Sequence, residues 1–143
     1  MPRSTKPPTG FLNVDLEVGA RTRAVLDPLT EALRASMSEI FHGRIRGLFR
    51  GHYEISSPRH DPSHRIHALA SVIEQLRGPA RKAWNATTWR DFNVGVDLER
   101  GVRSVELAID ADAVRRVAAL GGRIAFTAYQ VAAIKIIRIP KTS

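Results

Sequence analysis

The sequence predicts an α+β domain: a single, mostly antiparallel sheet with three helices packed on one face, in the order β-α-β-β-α-β-β-α-β. Three observations carry this expectation. Several segments alternate apolar and polar residues with a period of two, the mark of half-buried strands. Three others carry apolar residues three and four apart behind helix-opening signals at Asp27-Pro28, Asp61-Pro62 and Asp110. Every strand pattern has one apolar side only, as in a sheet covered on one face and wet on the other.

Taken in order, residues 1–10 (MPRSTKPPTG) are expected to be a flexible leader, because their composition has little apolar surface to offset the entropy of ordering. The domain is expected over 11–130. Leu12, Val14, Leu16 and Val18 alternate with Asn13, Asp15 and Glu17 as a first strand. Asp27-Pro28 then opens a helix with Leu29, Leu33 and Met37 on one stripe. Across 41–55, odd positions run Phe41, Gly43, Ile45, Gly47, Phe49, Gly51, Tyr53 and Ile55, while the mostly basic even positions run His42, Arg44, Arg46, Leu48, Arg50, His52 and Glu54. This predicts two strands broken near Gly47, with the kept parity implying an odd-length turn or a bulge. The second helix runs from Asp61-Pro62 through Ile66, Leu69, Val72, Ile73 and Leu76 to Gly78-Pro79, with a short helical turn reaching Trp84. Phe92, Val94, Val96 and Leu98 form a strand, and Val105, Leu107 and Ile109 another, joined through Glu99-Arg100-Gly101. A third helix from Asp110 carries Val114, Val117 and Leu120, stops at Gly121-Gly122, and is followed by a strand with Ile124, Phe126 and Ala128. The expected core is Leu12, Val14, Leu16, Phe92, Val94, Val96, Leu107, Ile109 and Phe126.

Four stretches of this pattern, LDPLTEAL, IHALASVIEQL, WRDFNVGVD and RVAALGGRIAFTAY, together with the opening strand, resemble a group of small uncharacterised bacterial α+β proteins over roughly residues 11–129. The resemblance implies that fold and a bacterial origin, and transfers no functional residues.

Composition narrows the function. The chain has no cysteine, which excludes disulfides, thiolate catalysis and cysteine-bound zinc and makes a cytoplasmic location the default. No stretch approaches the roughly 18 consecutive apolar residues of a spanning helix, so no membrane partner is expected. The net charge of +8 attracts polyanions, although arginine dominates the cations, with only 4 lysines, as a GC-rich coding background would also produce. Nucleophile elbows, phosphate-binding glycine loops and zinc-protease signatures are all missing from the sequence, and no cofactor is expected.

Three groups could carry chemistry. Arg44, Arg46 and Arg50 are candidates for weak, non-specific nucleic-acid binding from a basic strand face. Asn13, Asp15 and Glu17 on the first strand match Asn93, Asp97 and Glu99 on a later one, and could converge on the sheet's solvent face to bind a ligand or exchange protons. His60, His64 and His67 are weak metal candidates, since only His64 and His67 share a helix face. The leading expectation is a non-enzymatic bacterial protein-binding module of inhibitor, immunity or accessory type. The alternatives are a nucleic-acid-binding protein and an enzyme or ligand binder using the acidic and amide face. Residues 131–143 form a β-prone basic tail with Ile134, Ile136, Ile137 and Ile139, expected to pair within the domain, or with a second chain as a monomer–homodimer choice at this C-terminal edge.

Overall fold

The computed structural model describes residues 10–57, 59–98 and 103–130; the expected leader over 1–9 and the tail over 131–143 lie outside them. The element order is β1 (Phe11–Ala20), α1 (Arg23–Leu33), β2 (Ser38–Ile45), β3 (Leu48–Glu54), α2 (Pro62–Glu74), α3 (Gly78–Ala86), β4 (Trp89–Asp97), α4 (Ala111–Ala119) and β5 (Arg123–Tyr129). The strands form one sheet in the order β2-β3-β1-β4-β5. β1 pairs antiparallel with β3 and β4, β2 antiparallel with β3, and β5 parallel with β4. The chain through β4 is thus a split β-α-β arrangement of the ferredoxin-like kind, to which α4 and β5 add one parallel crossover unit.

Apolar alternation places the core. Val14, Leu16, Val18, Phe92, Val94 and Tyr53 point to the helix side and are fully buried, against Leu26, Leu29 and Leu33 of α1 and Ile66, Leu69 and Ile73 of α2. One buried polar pair bridges the layers: the Thr30 and Tyr53 hydroxyls are 2.6 Å apart. Trp84 of α3 is also buried and donates from Nε1 to the Leu120 carbonyl at 3.1 Å, fastening α3 to the end of α4.

Several expectations need correction. There are four helices among the described residues, because the turn after Pro79 grows into the nine-residue α3. α1 starts earlier than Asp27: Thr22 caps it by accepting from the Val25 N–H, and Pro28 sits inside the helix. Two capping signals stood five residues apart, and the earlier start adds Leu26 to the buried stripe. Met37 lies beyond that helix yet is buried.

Residues 103–110 are not a strand. They run alongside the core with Val105, Leu107 and Ile109 half-buried. Their backbone is held by α2, where Ser63 Oγ accepts from the Asp110 N–H at 2.8 Å and donates to the Ala108 carbonyl at 3.5 Å. Alternation reports one-sided burial, which a crossing segment satisfies as well as a paired strand does.

Leu12 is half-buried because the β1–β4 register shifts between Phe11 and Asn13, handing the core position to Phe11. Phe126 is 60% exposed, since β5 is the outermost described strand on its side.

Candidate functional site

All the described helices contribute to the one core cluster, so among the described residues the opposite face of the sheet is open. Register assigns its residues. Asp15 stands between Glu54 of β3 and Asn93 of β4, and Glu17 between His52 and Asp91. Gly19 stands between Arg50 and Trp89, and Asn13 faces Gly95. On β5 the same face carries Arg123, beside Asp91, and Tyr129, beside Asp97.

The sequence-derived ligand face is therefore assembled: Asn13, Asp15, Glu17, Asn93 and Asp97 share one surface. Glu99 lies outside the described residues.

The two ends of this face differ. At one end lie Asn13, Asp15, Glu54, Asn93 and Asp97. Asn13 Nδ2 donates to Glu54 Oε2 at 2.7 Å. Burial, then the charges of Glu54 and Glu17, push the Asp15 carboxyl up from 3.8 to about 6. At the other end, Trp89 carries two guanidiniums over its ring: Arg50 at 4.2 Å, reaching from β3, and Arg123 at 4.8 Å, from β5. Gly19 makes room for this stack, because a Cβ there would come within 3.1 Å of the Trp89 Cβ. Arg123 also grips the buried Asp91 carboxylate through two bonds of 2.6 and 3.2 Å. That contact raises the Arg123 pKa.

Five atoms spread over this face are shielded from water and have no hydrogen-bond partner among the described residues: Asp15 Oδ1, Asp97 Oδ1, Arg50 Nε, His52 Nε2 and Trp89 Nε1. An unmet polar atom of this kind costs about 1–3 kcal/mol. A cleft of about 240 Å³ beside the stack is lined by Thr88, Trp89, Arg90, Asp91, Gly121, Gly122 and Arg123. Its cations are already engaged: Arg90 donates to the Trp84, Asn85, Thr87 and Gly121 carbonyls, and Arg123 to Asp91.

The three candidate arginines do not share a face. The β2–β3 turn has two residues, Arg46 and Gly47, with φ of 50° and 82°. A two-residue turn reverses parity between the strands. Arg50 therefore joins the open face, Arg44 stands on the opposite side of β2 across from Phe49, and Arg46 sits in the turn itself. The expected odd-length turn is corrected accordingly.

The histidines are likewise dispersed. His60 Nε2 lies 2.7 Å from the Phe11 carbonyl, and His64 follows the capping Asp61. His67 sits between Asp110, at 3.3 Å, and Arg116, at 2.9 Å. No group of three acidic or histidine side chains able to hold a metal occurs among the described residues.

Sequence reasoning overlooked Trp89, Asp91, Arg123, His52 and Glu54 as partners on the open face. The odd-numbered alternation Trp89, Asp91, Asn93 was a usable signal for two of them; Arg123 required the parallel pairing of β5.

In class, then, this is an α+β protein with a split β-α-β sheet, the described helices on one side and a polar face on the other. No family model, curated protein or solved structure matches the chain. No helix among the described residues is long and apolar enough to cross a membrane.

Proposed function

We propose that the protein is a non-enzymatic bacterial protein-binding module, of inhibitor, immunity or accessory type, and that its open sheet face is the docking surface. The observation that carries this reading is the clustering of Trp89, two guanidiniums and several carboxylates on that one sheet face. Trp and Arg, which dominate protein contacts energetically, stand together there as Trp89, Arg50 and Arg123. Asp15, Glu17, Glu54, Asp91 and Asp97 outweigh the two arginines on the face, which favours a protein partner over a polyanion.

One observation favours a second reading: the Asp15 carboxyl, raised to about 6, is suited to proton exchange near neutrality. Asp15 does not line the cleft beside Trp89, and catalytic pockets are concave, which argues for docking instead.

A photo-crosslinking residue at position 17 tests the docking reading, with position 115 on α4 as control. In lysate of the source cells, position 17 is expected to capture a discrete protein that position 115 does not, and Trp89→Ala is expected to abolish the capture. Identical patterns from both positions would refute it.

A further inference from the structure

The outer edge of β2 has no described strand beside it, and the docking reading does not use it. Natural sheets usually blunt such edges with charge, because unpaired N–H and C=O groups template another strand. Alongside Glu39, Arg44 and a register shift, this edge also exposes apolar side chains, Ile40 at 53% and Phe41 at 37%. The register shift between Glu39 and Phe41 confines the irregularity to its first residues, so 41–45 is a straight run. In an antiparallel hairpin closed by a two-residue turn, hydrogen-bonded pairs alternate from Ile45–Leu48 outward. The main-chain groups of His42 and Arg44 consequently point away from β3.

We propose that this edge pairs with β2 of a second copy of the chain, antiparallel about a two-fold axis through Gly43, joining the two sheets into one. Under that axis His42 exchanges main-chain bonds with Arg44 of the second copy, and the two Gly43 residues meet at the close, non-hydrogen-bonded position. Phe41 lies against Ile45 of the second copy on the open side, covering side chains now in water. Charge agrees on the helix side. His42 Nδ1 is 3.5 Å from the Glu39 carboxylate, and Arg44 of the second copy arrives beside that pair, twice over by symmetry. Arg44 has little to lose in turning outward, since its side-chain hydrogen bond among the described residues, to the Gly47 carbonyl, is 3.4 Å long. A short edge contact falls at the small end of specific interfaces, so the dimer is expected to be weak and concentration-dependent.

Charge exchange tests the pairing by sedimentation equilibrium on the full chain from micromolar to millimolar concentration. Wild type is expected to shift from monomer to dimer across that range. Glu39→Arg and Arg44→Glu are each expected to weaken association at least tenfold. An equimolar mixture of the two variants should recover it as a heterodimer, and the double variant as a homodimer. Circular dichroism of each variant separates lost pairing from lost folding, and Phe41→Ser provides a second, uncharged disruption. A wild-type monomer at every concentration overturns the proposal, as does a dimer indifferent to both swaps or a mixture that fails to associate. Crosslinking from position 17 is independent of this edge, so its outcome bears on the docking face alone.

Discussion

Asp15→Asn should make the protein more stable at neutral pH, although it removes a charged group from a sheet of opposite and like charges. In the folded chain, burial and the neighbouring Glu54 and Glu17 raise the Asp15 carboxyl from 3.8 to about 6. The folded state therefore holds this proton more tightly than the unfolded chain does. Between roughly pH 4 and pH 6 the native state binds more protons than the unfolded one, so stability falls as pH rises through this window. Above it the whole penalty is present, and below it there is none. A shift of that size corresponds to about 3 kcal/mol before screening. The side chain is only half-buried, and solvent screening reduces the figure to about 1–2 kcal/mol. Asparagine keeps the shape and cannot ionise. Urea melts from pH 3 to pH 8 should show variant and wild type converging near pH 3 and separating above pH 6, with the melting temperature of the variant higher by roughly 3–8 °C at pH 7. A stability difference that does not change with pH, or a variant less stable at pH 7, would show that burial and the neighbouring carboxylates do not raise this carboxyl in the folded chain.

Burial separates two truncations that alternation alone ranks equally: Val94→Ala, at a fully buried site, should cost about 2–4 kcal/mol in chemical denaturation, and Leu107→Ala, on the half-buried crossing segment, about 1–2 kcal/mol. Thr30→Val strands the Tyr53 hydroxyl, whose partner is 2.6 Å away, and should cost about 1–3 kcal/mol, while adding Tyr53→Phe should return part of the loss in a double-mutant cycle. Arg90→Ala, at a partly buried residue, should lower stability by about 2–3 kcal/mol in the same melts, because its guanidinium satisfies carbonyls at the end of α3 and at Gly121; Arg90→Lys should not restore it, since an ammonium lacks the planar fork.

The open face was legible in part. The odd-numbered polar residues of β1 and β4 were readable from alternation, and antiparallel pairing of those two strands sets Asp15 beside Asn93 and Glu17 beside Asp91. The basic face was misread for a definite reason. Parity carries across a turn only if the turn length is known, and Arg46 adopts a positive φ beside Gly47, a conformation uncommon for a residue other than glycine. Arg44 and Arg50 consequently part to opposite sides. Residues 103–110 mislead in the opposite direction, since Val105, Leu107 and Ile109 alternate as a strand does while their backbone bonds go to Ser63.

What the sequence determines by itself is local and one-dimensional. Asp61 and Asp110 cap their helices by accepting from His64 N and Ala113 N, and the apolar stripes of β1, β4 and α2 face the core, because caps and periodicities depend only on neighbours in the chain. Tertiary structure alone decides which strand lies beside which. The parallel docking of β5 on β4 brings Arg123 to Asp91 and Trp89, and the central place of β1 sets Asp15 between Glu54 and Asn93. These neighbours are separated by tens of residues, and their meeting depends on how the helices and sheet share one core, a condition that no local pattern of residues records.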